Sequence, residues 1–149
     1  MAYLVDTSIL ARLANTADSF HAAAAQAVVE LHRRGELLHI APQNLVEFRC
    51  VATRPKAVNG LGLSAMDAAA KSAVFETVFS VLPETPEIYP AWRALVDGLG
   101  VVGKQVHDAR LVAVCHVYAV RHLLTFNVGH LVRMAGFGPG VTVVDPASV

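Results

Sequence analysis

The chain has 149 residues, its twelve lysines and arginines are balanced by twelve aspartates and glutamates, and hydrophobic residues make up 54%. That length fits a single domain, residues 1–149, with a core of its own and no room for a second. Zero net charge excludes a global field that would gather nucleic acid, so a polyanion has to be held by a local patch; charges also interrupt every apolar run short of a membrane-spanning length.

The first predicted element is Ala2-Tyr3-Leu4-Val5, whose nearly continuous apolar character reads as a strand buried on both faces, as in a parallel sheet. Asp6 ends it, placing a carboxylate at the carboxyl edge of the sheet, where open α/β sheets take their ligands. Ile9, Leu10 and Leu13 then recur at helical spacing, so Asp6-Thr7-Ser8 forms a strand-to-helix turn. Asp6 serves there as a helix cap or as part of a site. No basic leader with a small-residue cleavage site precedes the strand, and a cytoplasmic protein is expected.

Asp18-Ser19 offers a cap for a helix from Phe20 to Arg34, with Ala24, Val28 and Leu31 on its core stripe and Gly35 at its end. Leu37 to Ala41 reads as a second buried strand. Pro42 stands at the first position of a third helix, which runs to about Thr53 and carries Glu47 between Val46 and Phe48. Arg54-Pro55 stops it, Asn59 to Gly62 makes a loop, and Ser64 caps a helix from Ala65 to Phe79. Ser80-Val81-Leu82 is a short strand.

Pro83 and Pro86 precede a helix from Glu87 to Asp97, after which Gly98, Gly100 and Gly103 predict a flexible connection. Val106-His107-Asp108 opens the next helix, with Leu111, Val114, Cys115 and Tyr118 on one face. Leu123-Leu124-Thr125 is a fourth strand, Phe126 to Arg133 a turn and short helix, Gly136 to Gly140 a tight loop, and Val141 to Val144 the last strand. The alternation implies an α/β fold with a mostly parallel sheet covered on both faces. Cys50 and Cys115 lie in apolar helical patterns without metal-ligand spacing and read as reduced core thiols.

Three acids are out of keeping with their surroundings: Asp6 after a buried strand, Glu47 within an apolar helix, and Asp108 in a first helical turn. Isolated buried carboxylates are costly, and convergence on a cation would stabilise all three. Oxygen ligands without a histidine-cysteine set suit Mg2+ or Mn2+. The structural alternatives are a favourable helix-terminus field for Asp108 and an ion pair of Glu47 with Arg49, Arg54 or Arg110.

Val5-Asp6-Thr7-Ser8-Ile9-Leu10, Asn44-Leu45-Val46-Glu47-Phe48, Val106 to Ala113 and Leu123-Leu124-Thr125-Phe126-Asn127, in this order and spacing, resemble the PIN domain. Within that family the chain looks like a VapC-type ribonuclease toxin of a toxin-antitoxin pair. The resemblance implies a three-layer sandwich with a four- or five-stranded sheet and an acidic pocket at its carboxyl edge. It also implies metal-dependent hydrolysis of RNA by Asp6, Glu47 and Asp108 with magnesium or manganese, support from Thr7 and Thr125, a homodimer, and a cognate antitoxin protein as partner. Many relatives carry a further acid after the fourth strand; Asn127 and His130 stand at the two candidate positions, and Asn127 remains able to offer a carbonyl oxygen to the ion.

RNA approaching such a pocket needs local cations, and Arg54, Lys104 and Arg110 are near the acids in sequence, with Arg49 and Lys56 beside them. Two other functions share these features: a PIN nuclease of RNA processing, and a partner-binding module whose pocket has decayed. An aspartate-based phosphotransfer enzyme of the haloacid type would need a second Asp where Ser8 stands.

Overall fold

The computed structural model describes residues 1–149. Strands β1 (Ala2–Val5), β2 (Leu37–Ile40), β3 (Ser80–Val81), β4 (His122–Leu124) and β5 (Thr142–Val144) form one sheet in the order β3-β2-β1-β4-β5. Every neighbouring pair is parallel. Seven helices join them: α1 (Thr7–Ala14), α2 (His21–Arg33), α3 (Pro42–Thr53), α4 (Ala65–Val78), α5 (Ile88–Leu99), α6 (Gln105–Val117) and α7 (Val128–Ala135).

The alternation of side chains along β1 explains the three layers. Tyr3 and Val5 point into a core made with Ile9 and Leu10 of α1, Ala24 and Leu31 of α2, Phe48 of α3 and Phe75 of α4. Leu4 points the other way, into a core with Leu95 of α5, Leu111 and Val114 of α6, and Leu131 and Met134 of α7. A central strand so placed contributes to both cores. Truncating the fully buried Leu4 to alanine would cost about 2–5 kcal/mol.

The chain builds outward from β1 to β2 and β3, then crosses to β4 and β5 on the other side. Strand order therefore reverses between β1 and β4, which opens a crevice beyond the carboxyl ends of those two strands. Asp6 and Thr125 come immediately after them in the chain.

Several local expectations are corrected by packing. α2 begins at His21, because the Asp18 carboxylate accepts from Phe20 N at 2.8 Å and holds the preceding turn instead of capping the helix. Ser64 does cap α4, accepting from Asp67 N at 3.0 Å. α5 continues through Gly98 to Leu99, since a Cβ at position 98 would lie 2.9 Å from the Phe137 ring and only glycine lets helix and ring meet so closely. The connection from α5 to α6 is short and anchored by buried Val101, with Gly100 in the left-handed conformation at φ 62° ending α5. Leu37, expected inside a buried strand, is exposed. Cys115 is buried and its thiol is pushed up to about 12 by burial, whereas Cys50 is exposed and is no core thiol. No helix is long and apolar enough to cross a membrane.

Candidate active site

Backbone bonds register the two strand ends: Asp6 N donates to Leu124 O and Thr125 N to Val144 O, each at 3.0 Å. Asp6 occupies the N-cap position of α1, yet its side chain bonds nothing in that helix's backbone. Its Oδ2 instead accepts from Thr125 Oγ1 and Ser8 Oγ, both at 2.7 Å. Ser8 Oγ in turn accepts from Phe126 N at 3.2 Å. Capping therefore does not account for Asp6, which is 4% exposed and held by two hydroxyl groups.

Glu47 projects from α3. Its Oε2 accepts from Thr7 Oγ1 at 3.1 Å and its Oε1 from Gln43 Nε2 at 2.6 Å. Thr7 Oγ1 accepts from Asn44 Nδ2 at 3.2 Å, and Asn44 Oδ1 accepts from Ala41 N at 2.7 Å at the start of α3. No arginine neutralises Glu47. Arg49 donates to Ser72 Oγ at 2.9 Å, Arg54 to Asn59 O at 3.1 Å, and Arg110 to the Glu84 carboxylate at 2.6 and 3.1 Å.

Asp108 lies in the first turn of α6. Its carboxyl is pushed up to about 6, first by burial and then by the negative charges of Asp6 and Glu47, against a smaller opposing effect of His130 and His107. The acids that follow β1 and lie on α3 thus act on the one in α6, and their charges make Asp108 harder to ionise. The donor set is hard oxygen, and the protein places no cationic partner on Glu47 or Asp6; such an environment fits a divalent cation better than a structural ion pair. As placed, no three His, Cys, Asp or Glu side chains stand together as a group that would hold a metal ion by themselves.

A cleft of about 580 Å³ opens over Glu47 and Asp108, lined by Thr7, Glu47, Cys50, Val51, Lys104, Gln105, His107, Asp108 and His130, with buried Asp6 behind Thr7 and not on its wall. Of the cations expected near the acids, Lys104 is on its wall. Arg54 and Arg110 are not, because a loop carbonyl and Glu84 respectively hold them. His130 faces the cleft, while Asn127 is exposed at the N-cap of α7 and bonds nothing there through its side chain.

Sequence reasoning missed Ser8, Gln43 and Asn44. A signal existed for two of them: Gln43 precedes Glu47 by four residues, a pair that shares one helix face, and Asn44 sits at the position from which a side chain reaches back to the helix start.

The PIN domain family model matches residues 3–136. Among solved structures, VapBC2 from Rickettsia felis, bound to a DNA fragment from its promoter, superposes with a TM-score of 0.71 at 14% identity, covering 97% of this chain and 98% of that one. DNA-bound VapBC from Salmonella typhimurium gives 0.70 at 16% identity, covering 98% of each chain. VapC20 from Mycobacterium tuberculosis, a sarcin-ricin loop cleaving toxin, gives 0.64 at 21% identity, covering 88% of this chain and 94% of that one. No curated protein matches the sequence.

Proposed function

The chain belongs to the PIN domain family, and we propose that it is a single-domain, cytoplasmic, magnesium- or manganese-dependent endoribonuclease acting as the toxin of a VapBC-type pair. One observation carries the reading: Asp6, Glu47 and Asp108 come from separate elements to the carboxyl edge of the sheet with neutral donors and no ion pair on Asp6 or Glu47, and Asp108 is raised first by burial and then by the charges of the other two. The likeness to VapC20, a sarcin-ricin loop cleaving toxin, and to VapBC complexes supports the substrate and the partner.

Asp6, Glu47 and Asp108 would hold the ion, directly or through water, as magnesium commonly keeps several waters when a few carboxylates bind it. A divalent ion held there would supply Lewis-acid chemistry, lowering the pKa of an attacking water and offsetting charge on the phosphoryl oxygens. The chain's own groups do the rest. Thr125 and Ser8 fix Asp6, Thr7 and Gln43 fix Glu47, and Lys104 stands on the cleft wall where a phosphate of the RNA would pass. Asn127, at the N-cap of α7 three residues before His130, is exposed and off the cleft wall, and would join this oxygen set only by turning toward it.

The partner surface is an apolar groove of about 270 Å³ between α2 and α4, lined by Leu13, Val28, Val29, Val74 and Val78 among others. Val29 and Val74 are exposed, which suits an amphipathic antitoxin segment laid along the groove. Cleavage of total RNA is the test. Activity should require manganese or magnesium, stop in EDTA and vanish in Asp6→Asn; a variant as fast as wild type would end the metal-site reading.

A further inference from the structure

We infer that Gln43 is a positioning residue that ties Glu47 to the first turn of α6, so that the carboxylates of Glu47 and Asp108 are held as one unit. The inference rests on the ribonuclease reading above.

Gln43 is one turn before Glu47 on α3 and its Nε2 has two acceptors, Glu47 Oε1 at 2.6 Å and His107 O at 2.8 Å. His107 immediately precedes Asp108. A single amide group therefore joins the carboxylate of one acid to the main chain beside the other. Without it, α3 and the start of α6 would meet at the site with no shared hydrogen bond to set their spacing.

The other end of the amide decides which way it points. Arg110 Nη1 lies 3.4 Å from Gln43 Oε1, and the guanidinium is braced by its two-pronged pair with Glu84. An amide has one accepting end and one donating end, and a guanidinium only donates. Arg110 thus faces the oxygen and leaves Nε2 for Glu47 and His107. The opposite orientation would set donor against donor at Arg110 and oxygen against oxygen at Glu47.

A neutral N–H is suited to this place. It satisfies one oxygen of a half-buried carboxylate and stops its rotation, yet leaves the full negative charge available to a cation, whereas lysine or arginine would cancel it. Thr7 acts in the same way on Oε2. Both oxygens of Glu47 are thereby oriented by neutral donors.

The experiment compares wild type, Gln43→Leu, Arg110→Met and the double variant. Three quantities are read: Mn2+ affinity by calorimetry and by electron paramagnetic resonance, kcat and KM on one RNA, and the thermal midpoint in EDTA. Gln43→Leu should weaken Mn2+ binding about tenfold to a hundredfold, lower kcat, leave KM unchanged and hold the EDTA midpoint near that of wild type. Arg110→Met should weaken Mn2+ binding less, and the double variant should be no weaker than Gln43→Leu alone, because both act through one amide. Wild-type Mn2+ affinity and kcat in Gln43→Leu would overturn the inference, as would a fall in the midpoint with affinity unchanged. A wild-type protein that neither binds Mn2+ nor cleaves RNA would instead overturn the ribonuclease reading, and this inference with it.

Discussion

Thr125 Oγ1 donates a 2.7 Å hydrogen bond to Asp6 Oδ2 across the boundary between β4 and β1, where the strand order reverses. The same hydroxyl accepts from Asn127 N at 2.9 Å, so it also shapes the turn into α7. Thr125→Val keeps the side-chain volume and β-branching but removes both bonds. A bond to an ionised, buried acceptor is worth about 1.5–3 kcal/mol. Urea unfolding at neutral pH in EDTA should show a loss of that order, and cleavage should slow. An unchanged unfolding midpoint would mean that Ser8 alone satisfies Asp6.

Burial of Asp108, together with the charges of Asp6 and Glu47, also makes stability depend on pH. The ordinary Asp108 value of 3.8 is pushed up to about 6 in the folded protein. Between those values the folded state binds more protons than the unfolded state, so the Asp108 contribution is fully present below about pH 3.8 and is lost as pH rises through about 6. In EDTA, wild type should lose stability across that window relative to Asp108→Asn. Saturating Mn2+ binds the ionised form and should reverse the trend above about pH 6. Parallel curves for the two proteins in EDTA would remove Asp108 from the cluster.

His130 faces the cleft and Asn127 does not, which separates the two candidate positions for the further acid that the family resemblance implies. Replacing a group that lowers Asp108 by one that raises it, His130→Asp should destabilise the metal-free protein and tighten Mn2+ binding. Asn127→Asp should change both less. Titration of the two variants with Mn2+ checks this, and the reverse order of affinities would place the missing acid at Asn127.

Lys104 is exposed on the cleft wall, whereas Arg54 is held by Asn59 O. Lys104→Glu should weaken RNA binding and reduce the salt slope by about one. Arg54→Gln should leave the slope unchanged. Equal slopes for Lys104→Glu and wild type would put the phosphate contact elsewhere.

Much of the fold was legible because its signals are local. Apolar runs such as Tyr3-Leu4-Val5, the cap at Ser64 and the proline at position 42 act on residues within one turn or one strand, and they were read with small errors at the ends. Misplaced acids were legible for a related reason: an acid among buried apolar neighbours has to be stabilised wherever the chain goes.

The order of residues alone thus specified the alternation of strands and helices, the parallel sheet and the identity of three acids out of place. Packing in three dimensions settled the rest. It set the strand order, carried α5 through Gly98 against Phe137, exposed Cys50 and turned Arg110 away to Glu84. It also supplied the donors that hold the acids: Thr125 and Asp6 are 119 positions apart, and Gln43 and His107 are 64 apart. Hydrogen bonds at such separations depend on which helix packs on which face of the sheet, and no periodicity or spacing along the chain encodes the partner of a particular polar side chain.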